Sequence, residues 1–344
     1  MAQEYASKQP RGFKNHIENV AIVGLTLLKA GGQSGKFIVE EMLKNGKHKI
    51  TAITRTGSTN KAPEGVALKK VDYNDQSSLI KALNGQDALV ITMGVTAPPD
   101  QQTKLIEAAA AANVPWIIPN EFGEDGLNEE LGKDILLGPP KKKDRDHIEK
   151  LGKSSWIGIA CGPWYEFSLG GGPYRYGFDF KNRTVTFFDD GTTRINTSTW
   201  PQTGRSVANL LALKVLPDNE SDKSPCLADF RNKFVYVSSF TINQEEMFES
   251  VLRATGTSLD HWQVTHAPVK EYYREGVEQL KRGNRVGFAK LLYSRMFFPD
   301  LAGNFEATKG LDNDKLDLPK EDLDEFTKVG IHLAESGYFD NEGA

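Results

Sequence analysis

Cysteine is scarce in this chain: Cys161 and Cys226 are the only two among 344 residues, too few for a disulfide scaffold and without paired zinc-ligand spacing. No apolar run reaches the ~18 residues of a spanning helix. Residues 1–19 are mostly polar and lack the basic-then-apolar order of a secretion signal, so a reducing cytosolic compartment is expected. Basic residues are not in excess. The net charge of −4 leaves little to neutralise a phosphate backbone, which argues against a nucleic-acid partner. The six histidines form no His-Glu-x-x-His pattern, and His261 and His266 share no helix or strand face, so no metal is expected. Gly-x-Ser-x-Gly does not occur, which removes the α/β serine hydrolase. None of the ten tyrosines is followed four residues later by lysine, which excludes the usual Tyr-x-x-x-Lys proton-transfer pair.

What is present is an alternation. Short apolar runs at 20–24, 49–54, 66–71, 87–92, 114–118 and 155–160 read as strands, with helical patterns at 36–44, 76–83 and 99–112. Parallel neighbours need crossover connections, so the pattern predicts a doubly wound parallel α/β sheet of the Rossmann type. After Cys161 the texture changes to a glycine- and aromatic-rich stretch. Strands at 184–188 and 234–237 and helices near 243–254 and 270–282 then suggest a smaller C-terminal α/β lobe, some of whose strands could rejoin the first sheet. The last stretch, Glu306 to Ala344, carries 11 acidic against 4 basic residues; Pro319 could open a helix there that turns Leu323, Phe326, Ile331 and Ala334 inward. The expected division is a polar tail at 1–16, a cofactor domain at 17–160, a substrate lobe at 161–304 and an acidic helix or tail at 305–344.

The strongest chemical signal is VAIVG followed by AGGQSGKF. A strand ending in Gly24, a turn with Gly31, Gly32, Gln33, Ser34 and Gly35, and then a helix start is what a dinucleotide pyrophosphate requires. A Walker A loop does not fit, because Lys36 is followed by Phe37 instead of Ser or Thr. Five residues, Leu25 to Lys29, interrupt the motif; without them the loop reads GAGGQSG. About 20 residues past Gly35, where a carboxylate would select NAD, stands Arg55, and residues 53–61 contain no carboxylate. A guanidinium there, helped by Lys61, suits a 2′-phosphate and points to NADP(H).

For reaction chemistry the sequence offers GPPKKKDRDHIEK at 138–150. Any of Lys141, Lys142 and Lys143, near a helix start and desolvated by a ligand, could act as a proton donor; a solvated basic patch balanced by Asp144 and Asp146 is the alternative. Trp164, Tyr165 and Phe167 follow the sixth strand directly. There they could line a substrate crevice or pack a core.

Taken together, AIVG, AGGQSGKFIVEEML, TAITR, VDYND, VPWIIPNEFGED and the lysine helix at 141–149 resemble the NmrA-like and isoflavone-reductase-like family, and within it the fungal CipA-type oxidoreductases, over about Ile17 to Asn304. The resemblance implies an atypical short-chain dehydrogenase fold binding NADP(H), with a lysine in place of the tyrosine pair. It places the motif glycines at Gly24, Gly32 and Gly35, the 2′-phosphate arginine at Arg55 and the catalytic lysine at Lys141, with Lys143 as fallback; Asp72 and Arg145 are further expected cofactor residues. Asn120-Glu121-Phe122-Gly123 matches the family's Ser-Glu-Phe-Gly turn except at its first position. The implied activity is NADPH-dependent reduction of a C=C, C=O or C=N bond in a small secondary metabolite, including imines of fungal alkaloid pathways, by a monomer or homodimer. The alternatives are a redox-sensing NmrA-type regulator that binds dinucleotide without turnover, and a disabled enzyme.

Overall fold

The six apolar runs of the first 160 residues become six strands of one sheet. The computed structural model describes residues 4–24, 33–59, 61–94 and 97–339. The interruption at 25–29 and the expected site residues Gly31 and Gly32 lie outside the described residues. In chain order the first half contains β1 (Asn19–Val23), α1 (Gln33–Asn45), β2 (Lys49–Arg55), β3 (Val66–Val71), α2 (Gln76–Leu83), β4 (Ala88–Ile91), α3 (Gln101–Ala111), β5 (Trp116–Ile118), β6 (Phe122–Gly123), α4 (Glu129–Asp134), α5 (Gly138–Leu151) and β7 (Ser155–Ala160). The second half continues with α6 (Tyr165–Gly170), β8 (Phe178–Asp179), β9 (Thr184–Phe188), β10 (Ile195–Thr197), α7 (Trp200–Leu211), β11 (Lys233–Tyr236), β12 (Phe240–Ile242) and α8 (Gln244–Thr255). It ends with β13 (Gln263–Ala267), α9 (Val269–Lys281), α10 (Val286–Met296), α11 (Phe305–Lys309) and α12 (Leu323–Glu335).

The main sheet runs β11-β7-β5-β4-β1-β2-β3, with β6 beside β7, and its ladders are parallel. Both faces are covered. Val20 and Ile22 of β1 pack with Ile38 and Met42 of α1 and Leu210 of α7, while Ala21 and Val23 face Leu79 of α2 and Leu105 of α3. Successive strand side chains point to opposite faces, so a strand buried on both reads as an unbroken apolar run, as VAIV does. The chain winds outward from β1 through β2 to β3, then returns to place β4 on the other side of β1. That reversal is the topological switch point, where an open α/β sheet forms its ligand crevice.

The second half both rejoins and departs from this sheet. Lys233–Tyr236 pairs in parallel with β7. A separate core forms around Tyr165, Tyr176, Phe178, Phe188, Ile195 and Phe297, over the three-stranded β13-β9-β8 sheet and the β10-β12 pair. The acidic C-terminal stretch is docked. Its carboxylates are tethers: Glu321 accepts from Arg205, Thr199 and Ser239 at 2.7, 2.8 and 2.6 Å. The helix there begins at Leu323 with Asp322 as its cap, four residues after Pro319. Among the described residues no helix is long and apolar enough to cross a membrane.

Candidate active site

Gly24, the residue after β1, has φ +90°, and a β-carbon there would lie 1.7 Å from the Thr92 carbonyl oxygen. Only glycine satisfies both the left-handed backbone and that approach. β1 and β4 thus meet at the switch point without a side chain between them. α1 opens at Gln33, with Ser34 buried and no acidic residue in its first turn. An anion is therefore compatible with that helix start. Arg55 closes β2 at the same carboxyl edge of the sheet; its side chain is exposed and makes no ion pair among the described residues. Lys61 is exposed in the following loop. Asp72, just past β3, is exposed and accepts from the Asn74 N–H at 2.9 Å, which ties it into its own turn.

The turn after β5 carries the site's acids. Asn120 clips the ends of two strands together: its side-chain amide donates to the Met93 carbonyl (2.9 Å) and accepts from the Met93 N–H (3.1 Å). An amide both donates and accepts across that gap. Then β6 pairs with the end of β7, and the Gly123 carbonyl accepts from both Cys161 and Gly162 N–H. Glu121 and Glu124 are thereby set beside the carboxyl end of β7, facing α5. Lys141 and Arg145, four residues apart, share one face of α5. Lys141 Nζ donates to Glu124 Oε1 at 2.7 Å, with side-chain exposures of 18% and 5%. Arg145 donates to Glu121 at 2.5 Å and to the Gly126 carbonyl at 2.8 Å.

The two carboxyls are driven apart. Burial pushes Glu121 up against the pull of Lys141 and Arg145, and its second oxygen has no hydrogen-bond partner among the described residues. Burial also raises Glu124, but the charge and hydrogen bond of Lys141, helped by a backbone N–H and Arg145, outweigh it and hold this carboxyl below its usual range. The neighbouring Cys161 thiol is pushed up to about 12 by burial, and feels both Glu124 and Lys141.

The structure separates residues that adjacency in sequence had grouped. Of the three lysines, Lys142 is exposed and pairs with Asp146, Lys143 is exposed, and Lys141 alone meets a buried carboxylate. Arg145, expected at the cofactor, is instead buried between the Trp156 and Phe234 rings with its guanidinium on Glu121 and Gly126, and it serves the fold. Tyr165, expected as a substrate wall, is fully buried in the second core, its hydroxyl 2.7 Å from Thr327. Trp164 and Phe167 are half-buried and pack on each other and on Trp200, which stacks on Phe37 of α1 with centroids 5.8 Å apart. Sequence reasoning did not single out Glu124 or Trp200. A second glutamate three residues after Glu121 was the available signal for the first.

Residues 20–162 match the model of the NmrA-like family. That match spans the first part of the main sheet, from β1 to just past β7. Over nearly its whole length the chain is similar to fungal proteins: 25% identical over 309 residues to the oxidoreductase aprR of Aspergillus flavus, covering 88% of this chain and 97% of that one. It is 26% identical over 318 residues to the oxidoreductase poxI of Penicillium oxalicum, covering 90% and 94%. In fold it is similar to a crystal structure of isoflavone reductase (TM-score 0.68, 19% identity, covering 90% of this chain and 98% of that one). It is also similar to a quinone oxidoreductase of Escherichia coli solved with NADPH (TM-score 0.63, 19% identity, covering 90% and 98%). At these identities the structural likeness shows the fold alone, a Rossmann-type α/β fold.

Proposed function

We propose that this protein is an NADP(H)-dependent reductase of a small electrophilic molecule, acting on a C=C, C=O or C=N bond with Lys141 as proton donor. The observation that carries this reading is the Lys141–Glu124 pair: an ammonium held on a buried carboxylate beside Cys161, at the carboxyl edge of the sheet that also bears Gly24 and Arg55. The names of the fungal relatives and the NADPH held by the bacterial fold neighbour support it.

The residues present fit the dinucleotide. The close approach at Gly24 and the acid-free first turn of α1, with Ser34 and Gly35, suit the pyrophosphate, and Arg55 with Lys61 suits the 2′-phosphate. When bound, NADPH supplies a hydride. Lys141 then delivers a proton from Nζ to the atom that gains electron density, and Glu124, ionised, orients the ammonium without competing as an acid. Trp164 and Phe167 wall the substrate. In this reading residues 17–160 hold the cofactor and 161–304 shape the substrate side, in a cytosolic protein.

The test of turnover is NADPH consumption against a panel of aryl ketones, enones and cyclic imines, with C4-deuterated NADPH as donor. Deuterium at the reduced carbon is expected; a protein that binds NADPH but consumes none across the panel would favour the sensor reading. A further prediction concerns cofactor choice. Arg55→Ala is expected to weaken NADPH binding by about 10- to 100-fold, the size of a lost charged hydrogen bond, and to leave NADH almost unchanged. Fluorescence titration checks this, and equal losses for the two would remove Arg55 from the 2′-phosphate.

A further inference from the structure

The residues that follow α12 at 338–339 lie on the aromatic cluster. α12 packs on α6 so closely that a β-carbon on Gly170 would lie 2.3 Å from the Gly330 carbonyl oxygen. The helix is also tied at its start, where Asp324 accepts from Ser250 (2.6 Å) and Arg253 (2.8 Å). A helix fixed at both points carries the next residues to a defined place. Phe339 comes to 5.4 Å from Phe167, Tyr338 to 6.4 Å from Trp200, and the two new rings are 5.0 Å apart. Arg175 fastens them: its guanidinium lies over Phe167 (3.8 Å) and Phe339 (4.9 Å) and donates to the Phe167 carbonyl at 2.7 Å. Five rings from three distant parts of the chain therefore meet beside the start of α1: Trp164, Phe167, Trp200, Tyr338 and Phe339.

Three polar atoms inside this cluster have no hydrogen-bond partner among the described residues, Trp164 Nε1 being one. The Trp200 indole N–H is buried with no acceptor among the described residues, as is one oxygen of Glu166, whose other oxygen accepts from the Trp200 backbone N–H at 2.9 Å. A buried donor left unpaired is costly, and sites that leave one are commonly completed by a ligand or water. A carbonyl oxygen is the acceptor an indole N–H lacks, and aromatic rings favour a flat partner.

We propose that Tyr338 and Phe339 are specificity-determining residues, the outer wall that sets how long a planar carbonyl compound this cluster admits. The proposal rests on the reductase reading, since it concerns the substrate side of the same site. The distinguishing feature is that this wall comes from the two residues at 338–339, beyond α12, and can be shortened without touching Lys141, Gly24 or Arg55.

The test compares the wild type with Tyr338→Ala/Phe339→Ala and with the milder Tyr338→Leu/Phe339→Leu, each saturated with NADP+ so that no turnover occurs. Acetophenone, with one ring, and 2-acetylnaphthalene, with two, are titrated calorimetrically. A thermal melt and NADPH affinity within about twofold of wild type establish that each variant folds. The alanine pair is expected to shift the ratio of the two dissociation constants by at least about tenfold towards the larger ketone, with the leucine pair between. A ratio unchanged within about threefold, or no binding of either ketone to any of the three proteins, overturns the wall. Loss of NADPH binding by the wild type would instead count against the cofactor reading. Ketone binding by a chain that consumes no NADPH would leave the wall standing and remove the activity.

Discussion

Lys141→Met is expected to remove both turnover and stability, and the two losses can be separated. The substitution leaves Glu124, with a side chain only 5% exposed, as a buried carboxylate without its cation. Breaking such a pair from one side costs about 3 kcal/mol, whereas neutralising both partners costs much less. Lys141→Met/Glu124→Gln should therefore recover most of the stability but none of the activity. The pH dependence has a definite sign. In the wild type the Glu124 carboxyl is held low, so its contribution is present above the unfolded glutamate value of about 4.3 and is lost as pH falls through the lower folded value. In Lys141→Met burial dominates and the carboxyl is raised, so the penalty is fully present at high pH and eases as the solution is acidified. Turnover should fall by at least about 100-fold, the lower range for a general acid, with NADPH affinity nearly unchanged. Lys141→Arg supplies the split: a guanidinium keeps the ion pair but does not release its proton, so stability is retained and turnover is not. Urea melts between pH 5 and 8, paired with NADPH titrations, check the whole set. A Lys141→Met protein as stable as wild type at pH 8 would contradict the buried pair.

Gly24→Ala is expected to cost about 3–5 kcal/mol, combining a left-handed backbone with a direct clash. The clash is with backbone, since the new β-carbon would fall 1.7 Å from the Thr92 carbonyl oxygen, and Thr92 is itself anchored by its N–H and hydroxyl on the Val23 carbonyl. Neither side can yield without opening the β1–β4 pairing, and that opening would deform the crevice. NADPH affinity should fall by more than tenfold in whatever fraction remains folded. Gly46→Ala is the matched control: its φ is +63° but its β-carbon would meet nothing within 4 Å, so a loss of about 1 kcal/mol is expected. Equal melting shifts for the two variants would mean that backbone conformation alone, and not the close approach, requires glycine at position 24.

The sheet was legible because burial on both faces leaves a plain mark. Val66–Val71, Gln76–Leu83 and Ser155–Ala160 match the sequence reading residue for residue, and the order of strands and helices gave the parallel sheet. The strand-end places of Gly24 and Arg55 were legible for a different reason: backbone geometry and strand ends are marked locally. The acids were harder. Glu124 pairs with a lysine 17 residues away, through a contact that exists only once α4 and α5 have turned the chain back. Three consecutive lysines look alike in sequence; helix phase sends one inward and two to solvent. Tyr165 and Phe167 likewise diverge because α6 begins between Trp164 and Tyr165 and points neighbouring side chains to opposite sides. The other rings of the proposed wall come together only through the packing of α7 and α12, Trp200 and Phe339 on Phe167 and Tyr338 on Trp200, which no local pattern records.

The measurement that bears most directly on the central claim is a fluorescence titration of the full chain with NADPH and with NADH. Saturable binding of NADPH at least about tenfold tighter than NADH is expected, as for a cation reading the 2′-phosphate. Failure to bind either dinucleotide, or equal affinity for both, would contradict that claim.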